Sequence, residues 1–226
     1  IKRVNTYARK SRNKRDNAQD FYQKSLEMFE EIAKNNPSMV NDENLAMAYN
    51  NIANMYSTGD SKDILNAQFF YKQAIDIIKR LIDEHENINL KKTLALADIN
   101  IASLYFSENN FSEAEKWYYN SIDVICEIEQ IEPSLENKES LGKAYNNIAD
   151  LFSSELIDDK KKAEDFYMRS MRIFEGILNH KAIVSVKRSL SVTYDNLGNL
   201  YADWKIEKAY KYYKKAIDIK AVSYTH

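Results

Sequence analysis

His85, His180, His226 and Cys126 are the side chains of this sequence best suited to metal binding or nucleophilic attack, and their placement argues against both. The histidines stand far apart, with no cysteine or paired acid at ligand offsets, so no metal site is expected. Cys126 shares a helical stripe with Ile122, Ile125 and Ile128, where burial disfavours the thiolate that such chemistry needs; it reads as a small buried core residue. The acidic pairs Glu30/Glu31, Asp83/Glu84 and Asp158/Asp159 read as solvated helix faces or turns, because general acid–base work requires a desolvated cleft. The chain's 4 glycines supply neither a GxGxxG nor a P-loop spacing, which excludes nucleotide binding of those types. No catalytic residue and no cofactor is expected.

Composition narrows the partners. Lys and Arg number 32 against 34 Asp and Glu, so there is no global bias toward nucleic acid or an anionic membrane. One local run, from Lys2 to Arg15, is basic and reads as a solvated terminus, with a contact patch as the alternative. A single cysteine fits a reducing compartment, and cytoplasmic residence is the expectation. No apolar run approaches the roughly 20 residues of a membrane span. The chain opens on Ile1 in mid-pattern, which reads as a piece of a longer protein.

With only 4 Gly and 2 Pro in 226 residues, turn-makers are scarce, and long helices with short connections are expected. The elements repeat. One block recurs five times, as AQDFYQKSL at Ala18, AQFFYKQAI at Ala67, AEKWYYNSI at Ala114, AEDFYMRSM at Ala163 and AYKYYKKAI at Ala209, at spacings of 49, 47, 49 and 46 residues. A second block precedes each: VNTY at Val4, NNIANMY at Asn50, NIASLY at Asn100, NNIADLF at Asn146 and DNLGNLY at Asp195. Tyr49, Ile52, Ala53 and Tyr56 share one helical face, as do Ala67, Tyr71, Ala74, Ile75 and Ile78, so each repeat is a helical hairpin. Ala53, Ala102, Ala149 and Gly198 face Ala67, Ala114, Ala163 and Ala209, which lets the paired helices approach closely. The second aromatic of each doublet, from Tyr22 to Tyr213, is expected in the core and not in a base-stacking platform.

The spacing Tyr49-x2-Ile52-Ala53-x2-Tyr56 followed by Ala67-x3-Tyr71-x2-Ala74 resembles the tetratricopeptide repeat, and the signature covers nearly the whole chain. The period is longer than the common 34 residues of that family, and the proline that usually ends the second helix is absent. The run NNIA and the linker before it are similar to bacterial and kinesin-light-chain-type repeats. The second helices are expected to run on to about Glu86, Ile131 and Asn179, burying an extra core layer. The expected fold is all-α, an α-α superhelix of four complete hairpins plus a partial N-terminal repeat. Repeat boundaries fall near 1–37, 38–88, 89–133, 134–180 and 181–226, forming one array.

The resemblance implies a non-catalytic scaffold whose first helices line a concave groove for another protein or an extended peptide, with neither nucleic acid nor membrane as partner. It places Asn51, Asn100, Asn147 and Asn196 in that groove as a peptide-gripping ladder; a carboxamide has donors and an acceptor for both groups of a peptide unit. Repeated bracing of the fold is the competing account of the same row. Asn5, Asn54, Ser103, Asp150 and Asn199, three residues further on, would form a second polar row, and Asn50 joins the groove lining. A carboxylate clamp fits poorly: only Lys143 is basic at a matching place, while Asn50, Ile99, Asn146 and Asp195 fill the row that would begin it. Leu96, Ile99 and Phe106 would supply an apolar pocket in mid-groove. Two alternatives stay open: a ligand-sensing array coupled to an effector domain elsewhere, and weak self-association through the terminal repeats.

Overall fold

The computed structural model of the chain describes residues 20–58 and 63–223. The basic run from Lys2 to Arg15, the block at Val4, Asn5, Ala18 and His226 lie outside these residues. The described residues form helices joined by turns: α1 (20–35), α2 (Met39–Ser57), α3 (Ile64–Glu84), α4 (Ile88–Ser107), α5 (Phe111–Ile131), α6 (Leu135–Ser153), α7 (Lys160–His180), α8 (Val184–Tyr201) and α9 (Ile206–Ser223). The fold is all-α. The chain divides into two compact units, one ending at Leu104 and one beginning at Tyr105, inside α4.

Local signals explain the helix starts. Ser38 and Ser134, 96 residues apart, cap α2 and α6 by accepting from the Asn41 and Asn137 backbone N–H groups at 3.3 and 3.0 Å. Those same asparagines donate back to the Asn36 and Glu132 carbonyls, each at 2.7 Å, and so tie the preceding turn to the cap. Asp63, Asn110 and Asp159 cap α3, α5 and α7. Just before two of these caps, Asn109 (φ 58°) and Asp158 (φ 48°) take the left-handed conformation, which Asn and Asp tolerate better than most residues.

In the first unit α2 packs on α3, burying Ile52, Ala53, Ala67, Tyr71, Ala74, Ile75 and Ile78. In the second, α6 pairs with α7 and α8 with α9, while α5 packs on α6 and α7 on α8. Each of these three hairpins holds the same ring sandwich. Phe70 lies between Tyr49 and Tyr56, Phe166 between Tyr145 and Phe152, and Tyr212 between Tyr194 and Tyr201, with centroids 5.7 to 6.0 Å apart. The first aromatic of the doublet therefore packs between two side chains seven positions apart on the first helix. The second aromatic is buried at Tyr71, Tyr118 and Tyr167, half-buried at Tyr213 and exposed at Tyr22.

The second helices α3, α5 and α7 each span 21 residues and end close to where the sequence places them, α3 earliest at Glu84. Leu81, Ile128 and Ile177 are buried in the extensions, but Ile131 is not: as the last residue of α5 it points to solvent at 53% exposure. Small residues sit where helices meet closely. A Cβ on Gly198 would lie 2.5 Å from the Tyr213 ring, and one on Gly142 2.6 Å from the Phe174 ring.

Candidate functional site

The asparagine ladder resolves into two kinds of residue. Asn51 is exposed and Asn147 half-buried, and neither carboxamide has a partner among the described residues. Asn100 Nδ2 instead donates to Asn50 Oδ1 at 3.2 Å, and Asn196 Nδ2 to Asp150 Oδ1 at 2.9 Å. Asparagines without a partner among the described residues and bracing asparagines thus alternate along the chain. The neighbouring row is structural as well: Asn146 is buried and donates from Nδ2 to Thr193 Oγ1 at 2.8 Å, which links α6 to α8.

The second polar row takes a different part from that of a bare groove lining. Asn54 Oδ1 accepts from the Tyr71 phenol at 2.5 Å and Asn199 Oδ1 from the Tyr213 phenol at 2.7 Å; Asp150 accepts from the Tyr167 phenol. Each bond joins the two helices of one hairpin and gives the hydroxyl of the second aromatic an acceptor. Burial pushes the Asp150 carboxyl up to about 6, opposed by the Tyr167 hydrogen bond. Ser103 is exposed and donates to the Ile99 carbonyl at 2.9 Å, one turn back along α4.

On the second unit the first helices α6 and α8 run side by side in the same direction, bridged by Ser185 to Glu139, Asn146 to Thr193 and Asn196 to Asp150. Their shared furrow holds two cavities, of about 240 and 370 Å³, both lined by Asp150 and Asn196. The smaller is also lined by Lys143, Asn146, Asn147, Arg188, Ser189 and Val192. The larger adds Ser153, Glu155, Asp158, Lys160, Tyr167, Asn199, Leu200 and Asp203. Lys143 pairs with Glu139 one turn back at 2.7 Å.

Sequence reasoning missed Arg188, Val192, Glu155 and Asp203. A signal existed for Val192: Met47, Leu96, Lys143 and Val192 stand four positions before Asn51, Asn100, Asn147 and Asn196, and all four are exposed. Leu96 and the half-buried Ile99 belong to the first unit, whereas Phe106 belongs to the second, where its ring packs on Phe111 at 6.1 Å.

The column before the ladder, Tyr49, Asp98, Tyr145 and Tyr194, faces the preceding second helix. Tyr49 donates to Glu30 Oε1 at 2.7 Å and Tyr194 to Glu175 Oε1 at 2.5 Å. Asp98 replaces the tyrosine, and a cation, Lys79, replaces the glutamate. Asp98 is only 1% exposed, its Oδ1 has no hydrogen-bond partner, and burial pushes it up to about 7 against the opposing pull of Lys79. Cys126 occupies the equivalent place before Tyr145. It is half-buried, not fully buried as its stripe suggests, and burial still pushes its thiol up.

Among the described residues no group of three or more His, Cys, Asp or Glu side chains is arranged to hold a metal ion, and no helix is long and apolar enough to cross a membrane. No protein-family model and no curated protein matches the chain. Solved structures do. BtubC (BKLC) from P. vanneervenii superposes with a TM-score of 0.53 at 17% identity, over 94% of this chain and 93% of its own. A point variant of a Podosopora anserina protein, described as a kinesin light chain with nearly identical TPR-like repeats, gives 0.52 at 15% identity, over 99% and 97%.

Proposed function

From the tetratricopeptide-like helical repeat fold as premise, we propose that this chain is a protein-interaction scaffold that holds an extended peptide in the furrow between α6 and α8. The observation that carries the proposal is the Asn147 carboxamide, which lines a cavity and has no partner among the described residues. Its two donors and one acceptor suit the N–H and C=O of a passing peptide unit whatever its side chain. Asn196 and Asp150 set the wall beside it, with the Asn196 amide already committed to the carboxylate. Val192, exposed at 45%, offers an apolar contact next to this polar floor. Asn51 presents an equally unpartnered carboxamide in the first unit and is assigned the same role there.

The test places a photo-crosslinking amino acid at Val192 and, as control, at Arg172, an exposed α7 residue that lines neither cavity. Irradiation in lysate of the source organism is expected to trap a discrete peptide segment at position 192 and not at 172. Adding Asn147→Ala is expected to reduce trapping several-fold with unchanged circular dichroism. Equal labelling at both positions, or indifference to Asn147→Ala, would remove the furrow as the site.

A further inference from the structure

The furrow between α6 and α8 is electrostatically two-ended. Its smaller cavity, toward the helix N-termini, carries Lys143 and Arg188; its larger one, toward the C-termini, carries Glu155, Asp158 and Asp203 with Lys160 as the only opposing cation in its lining. Arg188, Glu155 and Asp203 have no ion-pair partner among the described residues, so their charges remain available to a ligand. Lys143 and Asp158 each have one ion-pair partner, Glu139 at 2.7 Å and Lys160 at 3.6 Å, but their own side chains stay more than half exposed, where such pairs are weak. Asp150 and Asn196 line both cavities, so one linear ligand meets both ends.

The acidic end does not have the arrangement of a metal site: among the described residues no cluster of its carboxylates comes close enough to coordinate one ion. A cavity of about 370 Å³ whose lining spreads carboxylates around Leu200 and Tyr167 suits a long cationic side chain, whose head needs several acceptors. Lysine and arginine meet that description.

We infer that the furrow selects peptide segments carrying an acidic side chain and a Lys or Arg four to five residues apart, the acid at Lys143 and Arg188 and the base at Glu155 and Asp203. The spacing follows from geometry. From Lys143 to Ser153 the α6 helix rises about 15 Å at 1.5 Å per residue, which extended chain crosses in about four to five residues at 3.3 Å each. Opposite charge at the two ends also sets direction: a segment with its charges exchanged must bind reversed or not at all. This inference rests on the peptide-binding reading of the same furrow and specifies its ligand.

The experiment selects random twelve-residue peptides displayed on phage against the full chain, and against two charge reversals, Lys143→Glu with Arg188→Glu and Glu155→Lys with Asp203→Lys. All four positions are solvent-exposed, and circular dichroism verifies equal helicity. The wild type is expected to enrich peptides with an acid and a base at the stated separation. The first reversal should abolish the acidic preference alone, and the second the basic preference alone. A synthetic winning peptide, followed by fluorescence anisotropy, should bind either reversal at least tenfold more weakly, with a loss that shrinks as salt rises. Enriched peptides that lose binding to Asn147→Ala, yet keep one motif across both reversals, would overturn the charge assignment and leave the peptide furrow standing. No enrichment by the wild type would overturn both.

Discussion

Asp98 shows what one substitution in a repeated column does to the energetics. Where two sister repeats place a tyrosine against a glutamate, this one buries a carboxylate near a lysine and leaves one oxygen without a hydrogen bond. A buried charge with incomplete compensation costs stability, and the shift to about 7 expresses that cost. The sign follows from proton linkage. Between the unfolded value near 4 and the folded value near 7 the native chain binds the extra proton, so stability falls as pH rises through that window. Asp150, raised to about 6, adds a smaller slope of the same sign. Asp98→Asn keeps the shape and removes the charge. It is expected to melt like the wild type at pH 4 and to be more stable at pH 8 by on the order of 2–4 kcal/mol. Thermal melts across that range check it, and a variant with the wild-type slope would contradict the assignment.

At the scale of elements, the doubled period of 96 residues has a visible cause. Ser38 and Ser134 cap α2 and α6 and follow the only two prolines, whereas α8 begins after Ile183 with no side-chain cap bond. The Pro-Ser pair, at Pro37 and again at Pro133, is therefore a helix-start signal used at α2 and α6 and not at α8. Ser134→Ala removes the acceptor for the Asn137 N–H and is expected to cost about 1 kcal/mol, the usual loss for such a cap. Denaturant unfolding would measure it, with Ser134→Asp restoring most of the loss; an unchanged midpoint in both would count against the cap. The hairpins themselves were legible in the sequence, because the Ala, aromatic doublet and aliphatic pattern recurs in a fixed helical register. The ring sandwich was not. It depends on which face of α2, α6 or α8 meets the first aromatic, and spacing along one helix does not reveal the register of its partner. For the same reason Asn51 and Asn196 look identical in sequence, although Asn51 has no partner among the described residues and Asn196 is bound to Asp150 across two helices.

For the whole molecule the question is how far each hairpin depends on its neighbours. Repeat proteins hold together through each hairpin and the interface to the next, so an array tolerates removal of whole hairpins better than a cut within one. The cut matters here because the boundary between the two compact units falls inside α4, between Leu104 and Tyr105, near the helix's C-terminal end at Ser107. Severing the chain there leaves part of a helix on each piece. Cutting at the α5–α6 turn instead keeps α6 to α9 intact, together with every residue lining both cavities. The exposed cost is the face of α6 that packs on α5. A fragment of residues 134–226 is therefore expected to be helical, to unfold cooperatively at lower denaturant than the full chain, and to keep its affinity for furrow-bound peptide within a few-fold. A fragment of residues 105–226 keeps α5 whole and covers that face, so it should recover part of the loss. Circular dichroism with urea titration compares the three. If 134–226 proves unfolded while 105–226 folds, the α5 contact is indispensable and α6 to α9 do not form an independent binding unit.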